Sequence, residues 1–413
     1  MHRDVDILRA LADRYAQAAW EIEQAGTWQL HADLNDLHPQ RPIVLINELP
    51  WHELNGSGEL TLECEDPDFR RAEEFLRRSL FQYRYFPGGV LLRPYFPVQK
   101  TIRSSGNGVS VKEETRASAG GGSIVAHRYE NQFHSVEDVE KLHYDVITYD
   151  REDSMRRYEK ICAALGDVLP VRLVGEATGY GLGYKVWDLI ATYMSVDELL
   201  YALIDEPEMM HALAEKLTDI FLDTVRQYEE QGLIDEDDPY CHCSSAVSRD
   251  LRKEPLDRRA VRAKNVWGRG LAQILATVSP AMHDEFEIAY ARRAMEPFGL
   301  VYYGCCEPLD TKIDEVRKIP HLRKISITPW ADINRAAEAI GRDFVISAKP
   351  NPANLPFTCE DPDRIRKELR ALVEACRRNN TPCELLLKDI STAGGNLENL
   401  ILWNRIAQEE ALR

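Results

Sequence analysis

The sequence predicts an α/β protein, a (β/α)8 barrel of the TIM type with an N-terminal extension of helix and short strand. Three observations predict it. From about residue 88 onward the pattern runs strand, loop, helix and then repeats, which requires parallel pairing and right-handed crossovers. The helix starts between the strands are marked by capping residues and by proline in the first turn. A chain of 413 residues suits one large barrel with an attachment.

The elements justify themselves in order. Residues 4–26 read as a helix, with Val5, Leu8, Leu11, Ala12, Tyr15 and Ala19 at helical spacing and Gly26 closing it. A short strand follows at 42–46. Asp66 and Pro67 then open a helix with Phe69, Ala72, Phe75, Leu76 and Leu80 on its apolar face. Residues 1–87 are thus an extension packed on the barrel, and 88–413 are the barrel itself. The stretch 105–123, rich in Gly, Ser and charge, is a loop or twisted hairpin. Barrel strands are expected at 89–96, 171–177, 240–246, 299–305, 322–328, 343–349 and 383–390, with an eighth not placed. Between them, Ser195 and Glu198 form a capping box, and Pro207, Ser279-Pro280 and Asp361-Pro362 start amphipathic helices. A doubly wound open sheet is the alternative architecture.

Composition narrows the function. Lys and Arg number 51 and Asp and Glu 68, a net charge of −17. That leaves no basic footprint for a nucleic acid and argues against an anionic membrane surface. No stretch approaches the roughly 20 apolar residues of a membrane span. The N-terminus carries Asp4 and Asp6 with no apolar run behind them, so no secretory signal is read and a cytoplasmic protein is expected. Nine cysteines, an odd number, point to thiols or metal ligands rather than a disulfide framework.

In a barrel of this kind, the loops after the strands build the active site. That rule selects Cys305, Cys306 and Glu307 after one strand, Trp330 and Asp332 after the next, Lys349, then Lys388 and Asp389, with Glu176 and His242 earlier. Thiolate, imidazole and carboxylate are zinc ligands, so Cys306, Glu307, His242 and Cys305 are the candidate metal set. Alternation along a strand puts Cys241 and Cys243 on one face and His242 on the other. The competing reading makes the cysteines small buried hydrophobes. Lys349, Lys388, Asp389 and Asp332 are the candidate catalytic groups, as cations holding an anionic substrate and as an acid. Glu176, Tyr303 and Trp330 are candidate substrate contacts. The segment Gly179-Tyr180-Gly181-Leu182-Gly183 lacks the full dinucleotide fingerprint and reads as a mobile loop.

Several segments, in order, resemble the uroporphyrinogen decarboxylase superfamily, which also holds the cobalamin-dependent methyltransferases. They are VLPVRLVGEATGY, LIDEPEMMHALAEKLTD, WGRGLAQILATVSPAMHDEF, GLVYYGCCEPLDTKIDEV, ISITPWADINRAAEAIGRDFVISAKPNPANL and NLENLILWNRIA. The likeness spans about residues 130–413. It implies a methyltransferase that moves a methyl group between a corrinoid, supplied by a partner protein, and a small substrate, with zinc as a possible metal. In the methyltransferases' zinc motif, Gly304 stands at the His place, Cys306 at the Cys place and Lys388 or Asp389 near the later Cys. The decarboxylases' arginine-rich N-terminal loop has no clear counterpart, although Arg93 lies near a strand end. The resemblance leaves two alternatives: a metal-independent decarboxylase or lyase on a carboxylated, tetrapyrrole-like substrate, and a non-catalytic tetrapyrrole or corrinoid binder.

Overall fold

The computed structural model describes residues 2–117, 125–179, 181–236, 238–251 and 261–413. The tip of the loop expected at 105–123 and Tyr180 of the glycine-rich segment lie outside them.

The chain folds as mixed α/β around eight strands that pair in parallel. These are β1 (Ile43–Ile46), β2 (Phe96–Gln99), β3 (Val171–Val174), β4 (Trp267–Gly270), β5 (Leu300–Tyr303), β6 (Leu322–Ile327), β7 (Val345–Ala348) and β8 (Cys383–Leu387). Six of them form one sheet in the order β1-β8-β7-β6-β5-β4. The strand at 43–46 therefore hydrogen-bonds to the last strand of the chain, Ile43 opposite Glu384 and Ile46 opposite Leu387. β2 and β3 pair separately, Phe96 opposite Val171. Parallel bridges join Glu176 to Ile234 and Tyr184 to Gly270. A closed ring of strands is not seen among the described residues. Helices such as Pro207–Gln231, Pro362–Arg378 and Leu397–Leu412 follow or cover the strands, and one large apolar cluster joins them to the sheet. Among the described residues, no helix is long and apolar enough to cross a membrane.

The start signals act where the sequence puts them. Asp66 accepts from the backbone of Asp68 and Phe69 to cap Pro67–Tyr85, and Ser195 with Glu198 forms the reciprocal box.

Three expectations are corrected. The helix read over 4–26 is two helices, His2–Ala19 and Ile22–Asn35, with Gly26 inside the second. The break follows from tertiary contacts: Gln24 bonds the backbone of Val90 and Leu92, and His31 and Asn35 reach Ser245. The strand read over 240–246 is a tight antiparallel hairpin, Tyr240–Cys241 against Ser244–Ser245, with His242 in the left-handed region at φ 55°. The strand that could not be placed is Trp267–Gly270. Its two glycines hide it, and close packing demands one of them: a Cβ on Gly268 would lie 2.6 Å from the Phe298 ring.

Candidate functional site

Alternate residues of a strand share a face, and this sorts the sheet into an apolar side and a polar one. The polar face carries Arg269 of β4, Tyr302 of β5, Lys324 and Ser326 of β6 and Glu384 of β8. Lys324 Nζ lies 3.3 Å from Glu384 Oε2, both fully buried. Lys349, just past β7, donates to the Tyr302 hydroxyl at 3.2 Å and to Ser326 Oγ. Tyr303 points the other way. Its hydroxyl donates to Glu287 at 3.1 Å and meets His283 Nε2 at 3.0 Å, beneath the helices. The residue on the lysine side is therefore Tyr302, one position from the candidate read in the sequence.

At the carboxyl ends of β1, β5 and β8 the ionisable side chains converge. Gly304, at φ 93°, turns the chain after β5 so that Cys305 and Cys306 follow on the rim. Lys388 Nζ approaches Cys305 Sγ at 3.4 Å and Asp389 Oδ2 at 3.1 Å. The Cys306 thiol donates to Asp389 at 3.6 Å. The backbone N–H of Asp389 donates to Glu48 at 3.1 Å, and Lys388 lies 3.9 Å from the same carboxylate. A hydrogen bond from Cys306, with Lys388 behind it, holds the Cys305 thiol well below its usual range, and the same shared bond pushes Cys306 up. Burial opposes the charge of Lys388, but Cys305, Glu48 and Asp389 together raise it above the ordinary lysine value.

Beside this group stands a possible metal-binding triad. Ligand atoms of Glu48, His242 and Cys243 lie within 4.8 Å of one another. The Cys243 thiol donates to Glu48 Oε1 at 3.2 Å, and His242 Nε2 is 3.8 Å from the same oxygen. The hairpin turn makes this possible: it brings His242 and Cys243 to one carboxylate, where strand alternation would have opposed them. Burial, then the charges of Arg269, Lys388 and Lys349, lower the His242 pKa to about 2. The imidazole is thus neutral at physiological pH, with a lone pair to donate. One carboxylate, one neutral imidazole and one thiol are a donor set that suits zinc and leaves room for a further ligand.

The sequence-selected residues divide accordingly. Cys305, Cys306, Lys388 and Asp389 come together, and His242 joins them through Glu48. Glu307 stays buried below the loop, where it accepts from the backbone of Ala272 at 3.1 Å and Cys305 at 2.9 Å. It braces the loop, and of the expected ligand set only His242 belongs to the possible metal-binding triad, with Glu48 and Cys243. Asp332 is exposed and caps the helix Ile333–Ile340 by accepting from the backbone of Asn334 and Arg335. Trp330 is 73% exposed. Glu176 faces another acidic group: burial, then Asp238 and Asp235, raise its pKa. Arg93 pairs with those same acids, at 3.0 Å from Asp235 and 3.3 Å from Asp238. The sequence signal that could have found Glu48 is the same strand-end rule applied to 42–46, since Glu48 stands two residues past that strand.

No protein-family model matches the chain, and no curated protein matches it. Among solved structures, the chain is similar to a methyltransferase from Methanosarcina mazei at 10% identity and a TM-score of 0.47, over 92% of this chain and 97% of that one. A likeness of that degree carries no argument about either fold or activity.

Proposed function

We propose that the chain is a methyltransferase that moves a methyl group between a corrinoid on a partner protein and a small anionic acceptor, with zinc held by Glu48, His242 and Cys243. The observation that carries this reading is the convergence of those three ligand atoms within 4.8 Å, beside the cluster of Cys305, Lys388 and Asp389. When bound, zinc lowers the pKa of an acceptor thiol or hydroxyl, so that it is deprotonated near neutral pH.

The chain's own residues do the rest. His242 stays unprotonated because burial and three cations disfavour its imidazolium form. Arg269 is buried and its Nε has no hydrogen-bond partner among the described residues. Its charge reaches both Cys305 and His242, so it is a cation available to an anionic group of the acceptor. Lys388 balances Cys305, Asp389 and Glu48 and keeps the carboxylates from repelling such a group. A methylcorrinoid docked by the partner would supply an electrophilic methyl group to the acceptor heteroatom, which Arg269 and Lys388 would hold as an anion.

This reading takes the six-stranded sheet and the β2–β3 pair as arcs of one (β/α)8 barrel of the uroporphyrinogen decarboxylase type. The two parallel bridges next to β3 and β4 support it. The nine free cysteines favour a reducing compartment, the cytoplasm.

The test is a zinc titration of the purified protein by calorimetry, with methyl transfer from methylcobalamin to thiol acceptors followed in parallel. The wild type binds one zinc, and His242→Ala and Cys243→Ser each lower its affinity at least tenfold, in the range seen for lost ligands and their supports. Protein that binds no zinc and leaves methylcobalamin unchanged refutes the proposal. The metal-independent decarboxylase keeps one supporting observation, the buried lysines Lys349 and Lys388. Full activity without metal would favour it.

A further inference from the structure

Two adjacent thiols stand outside the zinc-ligand triad. Cys305 Sγ and Cys306 Sγ are 3.6 Å apart. Cys305 is only 5% exposed, whereas Cys306 is partly open to solvent. Each has a different partner: the Lys388 ammonium lies 3.4 Å from Cys305 Sγ, and the Cys306 thiol points to Asp389 Oδ2 at 3.6 Å. Cys305 is also fixed from below, because Ser326 donates to its carbonyl at 2.6 Å and its N–H bonds Glu307. An accessible thiol with a second sulfur 3.6 Å behind it, held beside a cation, is an arrangement that suits thiol–disulfide exchange.

We propose that Cys305 and Cys306 are a thiol–disulfide exchange centre that reduces small disulfides and closes into a disulfide between the two adjacent residues. The proton that the two sulfurs share stays on Cys305 as the Cys306 sulfur attacks one sulfur of the incoming disulfide. A new S–S bond forms to Cys306, and the first small thiolate leaves. Cys305, as thiolate, then attacks Cys306 Sγ, forms the Cys305–Cys306 bond and expels the second thiolate. The protein loses two electrons and the small disulfide gains them, while the shared proton passes from Cys305 to the first departing thiolate and frees Cys305 to attack. A dithiol reductant restores the pair by the reverse exchanges.

The division of roles follows from exposure. Of the two, Cys306 is the one open to an external disulfide, and Cys305, 3.6 Å behind it, is placed to resolve the adduct. Once Cys306 is in the mixed disulfide, the Lys388 ammonium, 3.4 Å from Cys305 Sγ, favours the resolving sulfur as thiolate. Adjacent residues hold their Cα atoms about 3.8 Å apart, closer than the roughly 4.4–6.8 Å of ordinary disulfides. The bond formed is therefore strained and easily reduced, which suits a reversible centre and not a structural brace.

The experiment treats the full-length protein with cystamine and reads intact mass and the tryptic peptide 294–312, which contains Cys305 and Cys306 and no other cysteine. The expected result is a loss of two hydrogen atoms confined to that peptide and reversed by dithiothreitol. In Cys305→Ser the reaction stops one step earlier, with one cysteamine retained on Cys306. In Cys306→Ser the peptide stays unmodified, because Cys305 is shielded. A wild-type protein that retains cysteamine on the peptide, or that loses the two hydrogens elsewhere, overturns the proposal. The wild-type result decides by itself should a variant fail to fold.

Discussion

Replacing Lys388 by methionine tests the electrostatics of the site most directly. The ammonium lies 3.4 Å from Cys305 Sγ and is 3% exposed, so little solvent screens the pair. At an effective dielectric constant of about 20, a unit charge pair at that distance is worth about 5 kcal/mol, and 1.36 kcal/mol corresponds to one pKa unit. The hydrogen bond from Cys306 survives the substitution, and the carboxylates of Asp389 and Glu48 now face the sulfur without a cation between them. The half-point of Cys305 ionisation should therefore move up by about 3.6 pH units. The assay is the rate of alkylation of peptide 294–312 by a small haloacetamide across pH, read by mass spectrometry, with thiolate absorbance as a second signal. Methionine keeps the length and apolar stem of lysine, so packing is preserved. A Lys388→Met protein with native circular dichroism and an unchanged half-point would show that Lys388 does not set the charge of Cys305.

Two further outcomes follow from buried groups. His283 is 1% exposed, and burial, then Lys312, lowers its pKa to about 3. The unfolded chain binds a proton near pH 6.5 that the folded chain refuses, so stability falls with acid from 6.5 to about 3, by about 1.4 kcal/mol per pH unit. Urea denaturation of His283→Gln at several pH values should show a slope smaller by that amount, and an equal slope would contradict it. Gly304→Ala places a Cβ 2.6 Å from Leu309 Cδ1 at a φ of +93°. It should cost roughly 1–3 kcal/mol in urea denaturation and disturb the Cys305 ionisation curve.

β3, β5, β6, β7 and β8 are legible because each is a short, largely apolar run, and their ends tell where chemistry gathers. Cys305, Cys306, Lys388 and Asp389 were found in this way, and they meet. What the sequence hid has physical causes. Glu48 reaches Asp389 across 341 positions. Its strand, at 42–46, looks like part of an extension until β8 is known to pair with it. β4 was lost because glycine has low strand propensity and WGRG lacks an apolar run. The hairpin at 240–245 imitates a strand, since Cys, His and Cys alternate as a half-buried strand would. Nothing in YYGCC fixes parity, and a one-residue slip reverses the face, so the sequence does not tell Tyr303 from Tyr302. Asp332 reads equally as an acid at a strand end and as a helix cap, and capping claims it.

The backbone itself marks the site. Glu48, His242 and Asp389 have φ values of 52°, 55° and 55°, and Gly304 has 93°. A non-glycine residue held in the left-handed region costs about 1–2 kcal/mol, and such strain persists only where the surroundings fix it. Leu37, His321 and Asn380 share that region elsewhere in the described chain, so a positive φ alone marks nothing. The three in the cluster differ in what the turn achieves. At each, the reversed backbone directs an ionisable side chain onto the rim: Glu48 to Cys243 and the Asp389 backbone, His242 to Glu48, and Asp389 to Lys388 and Cys306. Glycine would relieve the strain at all three positions, and none of them is glycine. Side-chain chemistry, not backbone ease, accounts for the residues found there, which is why the simple two-residue alternation of a strand could not place His242.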